Sequence, residues 1–256
     1  MTTRTRALRQ LSAAAAVTVS VTLTGVLLGP GGSSALASGG AAEPPTAADT
    51  IEVDVVLPSV PLPDVAEQRH ADFTIGDGLP DGARVFNTGG NTSGMALAGG
   101  LLAHGAPEAS GAAGFVETRL ASEVALLGAR VRFPATDSGS VALVGWQSSL
   151  VGAHRAGGPT PSTGLRLVAS PGRWELTVVD GDVEVIGSGS YEVVDGPATF
   201  EVRRVGGAIY VVDPTGAVTV VKDKRAARLA GAWASWGLSE TGPEQTPASL
   251  EAVWAG

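Results

Sequence analysis

The chain has 256 residues, no cysteine, and 25 acidic against 17 basic side chains, for a formal charge of −8. Without a thiol it can have no disulfide scaffold, thiolate metal site, cysteine nucleophile or lipid-anchor cysteine. A chain this acidic argues against nucleic acid and anionic lipid surfaces, both of which demand basic patches. Its 36 glycines and 16 prolines point to many turns.

Residues 1–37 have the form of a signal peptide. Arg4, Arg6 and Arg9 make a basic start, an apolar run follows from Leu11 to Gly29, and Ala35-Leu36-Ala37 offers a small-x-small cleavage site before Ser38. The alternative is an uncleaved anchor, since the run is about long enough to span a bilayer, although Ser and Thr interrupt it. Cleavage removes three arginines and no acid, which leaves 14 basic against 25 acidic residues and a charge of about −11. The expectation is a secreted, extracellular protein that does not engage membrane after cleavage.

Residues 38–69 read as a proline-rich leader or linker, with Glu43-Pro44-Pro45 and Leu57-Pro58-Ser59-Val60-Pro61-Leu62-Pro63 favouring extended polyproline geometry. A globular domain is expected over 70–256. Its predicted strands begin with Asp72–Ile75. The Gly- and Ala-rich stretch from Asn87 to Gly114 predicts loops with one short strand near Met95–Leu97, and Phe115–Ala121 predicts a clear strand. Leu127, Ala129, Val131 and Phe133 share one face, with Arg130 and Arg132 opposite. The next run holds Val141, Leu143, Trp146 and Gln147, and a Gly/Pro loop covers 154–164. Leu165 and Leu167 then alternate with Arg166, and Trp174, Leu176 and Val178 alternate with Arg173, Glu175 and Thr177. Asp180-Gly181 predicts a hairpin into Val183–Ile186. From Tyr191 to Val221, four short runs are separated by Asp195-Gly196, Gly206-Gly207 and Asp213-Pro214-Thr215-Gly216. Residues 222–228 predict a helical turn or loop, and runs at 230–236 and 250–254 complete the set. So many short strands between turns predict an all-β antiparallel sandwich or barrel.

From Asp72 onward the pattern resembles the concanavalin A-like lectin/glucanase superfamily, in particular LamG-like jelly rolls of secreted actinobacterial proteins. Three stretches carry the resemblance: the entry Phe86-Asn87-Thr88-Gly89-Gly90-Asn91-Thr92; the hairpin from Gly207 to Gly216 followed by Asp223-Lys224-Arg225; and the closing Val253-Trp254-Ala255. It implies a jelly-roll β-sandwich whose concave sheet or rim loops take sugar.

Catalytic signals are thin. Glu52-Val53-Asp54-Val55-Val56 resembles the E-x-D-x-x-E strand of retaining glucanases, which sets two carboxyl groups about 5 Å apart, but Leu57 replaces the last acid. Glu175 and Glu184 could meet diagonally across the Asp180-Gly181 hairpin, yet read better as a solvated face with Arg173. Ser148, Ser149 and His154 are near in sequence with nothing to orient them, and a G-x-S-x-G elbow is absent. His70, His104 and His154 lack metal-ligand spacing. No cofactor is expected; Ca²⁺ is the one ion that Asp180-Gly181-Asp182 or Asp77 and Asp81 could take, although Asp-Gly is also common turn chemistry. Asn91-Thr92-Ser93 fits a glycosylation sequon and is assigned no role.

A sugar ring stacks its C–H face on an exposed aromatic. Trp174 shares a face with Leu176 and Val178, and Trp254 aligns with Leu250, so both are expected in the core; Trp233 and Trp236 fall on opposite faces. Trp146 ends a strand beside Gln147, upstream of His154 and Arg155, which makes these four the candidate ligand-binding residues. The reading is a non-catalytic carbohydrate-binding, lectin-like module with a polysaccharide or glycan partner. The alternatives are a glycoside hydrolase or polysaccharide lyase on the same fold, and a protein-interaction or adhesion module.

Overall fold

Alternating apolar and polar residues build short strands whose apolar faces close on one another as two sheets. The computed structural model describes residues 60–88, 95–104, 113–147, 163–180, 182–193, 195–239 and 247–256. They belong to one compact unit, Val60–Gly256. Residues 1–59, which include the expected signal peptide, most of the expected leader and the Glu52-Val53-Asp54 stretch, lie outside the described residues.

Fifteen strands are present among them: β1 Arg69–Asp72, β2 Arg84–Thr88, β3 Met95–Ala98, β4 Leu101–His104, β5 Ala113–Arg119, β6 Leu126–Arg132, β7 Ser140–Gln147, β8 Thr163–Ser170, β9 Arg173–Asp180, β10 Asp182–Ser190, β11 Ala198–Val205, β12 Ala208–Val212, β13 Val218–Val221, β14 Trp233–Ser239 and β15 Ser249–Ala255. One sheet has eight strands in the order β13-β12-β11-β6-β15-β4-β3, with β1 added along β15; the other has seven, β10-β9-β8-β7-β14-β5-β2. Every pairing is antiparallel. This is an antiparallel jelly-roll β-sandwich, as expected.

The core lies between the sheets. Leu127, Ala129 and Val131 of β6, Phe200 and Val202 of β11, and Ile209 and Val211 of β12 face Leu143 of β7, Leu165 and Leu167 of β8, Leu176 of β9 and Trp236 of β14. Trp236 Nε1 donates to Gly128 O at 2.9 Å, a bond from one sheet to the other. The outer face of the eight-stranded sheet is polar. Glu251, almost fully buried, accepts from Arg130 Nε at 3.0 Å and from Arg132 Nη2 at 2.6 Å, and Arg130 also pairs with Asp72.

Four local expectations are corrected. Phe73–Ile75 is a 3₁₀ turn rather than a strand, because Asp72 Oδ1 accepts from Thr74 N and caps it. The stretch 99–104, expected as loop, holds β4. Tyr191–Val193 is not a strand: Tyr191 turns back, its N–H on Gly172 O and its ring edge-on to Phe200 at 5.5 Å. Trp254 is not in the core. A register shift between Leu250 and Ala252 changes which alternate residues face inward, so Leu250, Val253 and Ala255 are buried. Trp254 turns outward, over Gly128, where an added Cβ would stand 2.2 Å from its ring.

Gly231 shows an equally close approach, but against backbone. A Cβ there would lie 2.2 Å from Gln147 N and 2.4 Å from Gln147 O. Backbone cannot yield as a side chain can, so Gly231→Ala is expected to lower unfolding stability by about 1–3 kcal/mol. Gly78→Ala, with nothing within 4 Å, should stay within about 0.5 kcal/mol of the parent. Urea titration of both variants checks the pair.

Candidate functional site

The outer face of the seven-stranded sheet carries the site. In β8 and β9, Leu165, Leu167, Trp174, Leu176 and Val178 point into the core, so Arg166, Val168 and Ser170 must point out beside Arg173, Glu175, Thr177 and Val179. The ladder sets Ser170 opposite Arg173, Val168 opposite Glu175 and Arg166 opposite Thr177. Pro171 and Gly172 close this hairpin, with Gly172 at φ 79°.

β10 extends the face by an unusual device. Its pairing with β9 shifts register between Val185 and Gly187. Without the shift, Ser188 and Ser190 would fall on the opposite face from Val183 and Val185. With it, all four face outward, opposite Glu175, Arg173, Val179 and Thr177 respectively. Gly187 and Gly189 then face inward, where side chains would collide: a Cβ on Gly189 would lie 2.7 Å from the Trp174 indole, and one on Gly187 2.9 Å from Val221 Cγ2. The run Gly187-Ser188-Gly189-Ser190 thus has a reason in both faces. It was the sequence signal available for this site.

The result is an open groove of about 1160 Å³ along β8–β10, walled at one end by residues 136–140. Within that wall Ser138 Oγ accepts from Ala135 N at 2.9 Å. Val168, Val179 and Val183 give the groove apolar patches, while Arg166, Arg173, Glu175, Thr177, Ser188 and Ser190 supply donors and acceptors. Burial pulls the Arg166 guanidinium below its ordinary pKa and the nearby Glu175 charge opposes this; it remains a cation at any working pH. Arg173 Nε donates to Ser170 Oγ at 3.1 Å.

The residues singled out in the sequence fall elsewhere. Trp146 is 0% exposed and belongs to the core, with φ 55° at the end of β7, where the β7–β14 register shifts. Gln147 is 1% exposed; its Nε2 donates to Ser235 Oγ at 2.9 Å. Neither presents a face to a ligand: the irregular strand end turns Trp146 into the core, and Gln147, opposite Trp233, is covered on the outer face beside Ser235. His154 and Arg155 lie outside the described residues, as do Ser148 and Ser149. Trp233 and Trp236 do fall on opposite faces: Trp236 is buried, and Trp233 is half-buried beneath Arg84, 5.3 Å from its ring centroid. Trp174 is core, as expected. Glu175 and Glu184 do not share a face: Glu184 sits opposite Val178 and pairs instead with Arg225. Asp77 is engaged in its own turn, its Oδ2 accepting from Asp72 N. Among the described residues no three His, Asp or Glu side chains converge as a metal site.

No family model matches the sequence, and no curated protein matches it. Solved structures similar in fold include the exoplasmic/lumenal domain of VIP36. Its Ca²⁺/Man2-bound form superposes with a TM-score of 0.51 at 12% identity, over 72% of this chain and 85% of that one. Its metal-free form gives 0.50 at 12% identity, over 72% and 89%. At such identity the likeness establishes the jelly-roll fold alone.

At the groove's end, the Tyr191 hydroxyl donates to Ser170 O at 2.8 Å. Burial raises its pKa to about 12. The raised value means that the fold favours the neutral phenol. This contribution is complete below the unfolded value near 10 and fades as pH rises towards about 12. Tyrosinate absorbance should therefore show an ionisation near pH 12 that Tyr191→Phe abolishes.

Proposed function

We propose that this chain is a secreted, non-catalytic carbohydrate-binding module of lectin type that holds a glycan along the groove on β8–β10. The observation that carries the reading is the groove's mixed chemistry on an open sheet face. A pyranose has an apolar C–H face and a girdle of hydroxyl groups. Val168, Val179 and Val183 meet the first; the carboxylate of Glu175 and the planar guanidinium groups meet the second, alongside the hydroxyls of Thr177 and Ser188. The jelly-roll fold supports the reading by analogy, since the VIP36 domain of the same fold has been solved bound to Man2.

In this reading residues 1–37 direct export, 38–69 form the leader and 70–256 the binding domain, of LamG-like type. The partner is an extracellular polysaccharide, with no part for nucleic acid or membrane. Trp146 supports the sheet from the core and Gln147 through its bond to Ser235, rather than by touching the ligand.

The test is retention of the protein on soluble and insoluble polysaccharides, with and without Ca²⁺, with released reducing ends assayed in the supernatant. Binding without release is expected, and Glu175→Gln should weaken it about tenfold, the loss of a charged hydrogen-bond acceptor. Release of reducing ends would make the protein an enzyme instead, and failure to bind any glycan would overturn the proposal.

A further inference from the structure

We propose that the groove selects acidic glycans, with Arg166 and Arg173 as the seats for carboxylate or sulfate groups of the polysaccharide. This rests on the glycan-binding reading above.

Arg69, Arg130, Arg132, Arg203, Arg204 and Arg225 each form an ion pair with a carboxylate of the chain. Arg84, Arg119 and Arg228, which form none among the described residues, are exposed. In so acidic a protein an ion pair is therefore the ordinary outcome for a half-buried arginine. Arg166 departs from it. It is half-buried in the groove floor and forms no ion pair among the described residues. Glu175 sits diagonally across the β8–β9 ladder, close enough to act through space but not as an ion-pair partner. A guanidinium partly withdrawn from water without a bonded counter-charge is costly. A ligand anion would satisfy it.

Arg173 lies on the same face, exposed, with only the neutral Ser170 hydroxyl as its described partner. The two arginines stand at opposite ends of the same outward row. Four residues of strand separate their ladder levels, about 14 Å, the span of a short oligosaccharide. Glu175 stands between them. The row therefore reads cation, anion, cation. That order suits a chain whose acidic groups are separated by hydroxyls, because Glu175 accepts from hydroxyls and repels an acid placed at the centre. Asp137, on the end wall, is the other acid of the groove. It disfavours a continuous strip of negative charge and leaves spaced acids as the fit.

Matched polysaccharides test this: neutral galactan, polygalacturonate, and a sulfated galactan, each titrated against the protein by calorimetry. At least one acidic polymer is expected to bind about tenfold or more tightly than the neutral one, and to weaken with added salt. Binding of polygalacturonate alone would identify carboxylate, and of the sulfated polymer alone, sulfate. Arg166→Gln and Arg173→Gln should each cost about tenfold more on the acidic ligand than on the neutral one. Arg173 is exposed, so its replacement leaves the core intact, and thermal melts verify both variants. Equal or tighter binding of neutral galactan would overturn the selectivity while the carbohydrate reading stands. So would acidic binding that survives both substitutions. If neither these nor any neutral polysaccharide is retained, both readings fall.

Discussion

The sandwich depends on Gly128 having no side chain. In the middle of β6 it has Glu201 on one neighbouring strand and Trp254 on the other. The Trp254 indole lies flat across it and donates from Nε1 to Glu201 Oε1 at 3.1 Å. From the other side, Trp236 crosses the core and donates to the Gly128 carbonyl. One residue therefore ties three strands of one sheet and anchors the second sheet to it. Any side chain here would expel Trp254, expose its indole and leave the Glu201 oxygen to find another donor. Glu201 also pairs with Arg203, so the effect would spread along the outer face.

Alternation made most of the fold legible. Wherever apolar and polar residues alternate, as over residues 127–132 or 173–178, the strand and its inward face were readable from the sequence. Misses occur where the period of two is interrupted. Trp254 was misplaced by the shift after Leu250 and Trp146 by its left-handed backbone at a strand end, while Glu184 was misplaced by the hairpin itself, which pairs Asp182 with Asp180 and so sets Glu184 opposite Val178. A bulge adds one residue to one strand, and single-residue parity is all that a pattern argument has to work with. The site was missed for a different reason. Aromatic anchors draw attention in a search for sugar contacts, yet in this chain the indoles of Trp146, Trp174 and Trp236 serve the core. The groove is instead made of residues that look like an ordinary solvated strand face, and Arg166, Glu175 and Thr177 gain meaning only when neighbouring strands bring them together.

The same interruptions that obscure the sequence give the groove its form. β10 is an edge strand, which by itself would be free to fray or to pair with another chain. Its shift at Val185–Gly187 twists the edge and turns Ser188 and Ser190 toward the groove beside Val183. Its glycines let the strand lie close over Trp174 and Val221, the last residue of the opposite sheet's edge strand. Arg225 then clasps the arrangement from beyond β13. It pairs with Glu184 of β10 and, at 2.9 Å, with Asp223, holding the Asp223 carboxyl down at about 2. The groove wall is thus braced by two glycines beneath an indole and by a guanidinium between two acids.

Bracing of this kind matters for a shallow site. An open groove buries little of its ligand, so each contact contributes modestly, and affinity depends on how little ordering the ligand must impose. Here the polar groups project from paired strands rather than from loops, and the hairpin turn at Pro171-Gly172 is held by Tyr191 through two bonds, N–H to Gly172 O and hydroxyl to Ser170 O. Arg166, Val168, Glu175 and Thr177 are accordingly fixed in relative position before any ligand arrives. What remains to be ordered is the ends of a few side chains, and the half-buried Arg166 is the one among them whose freedom and hydration are already reduced in the empty groove.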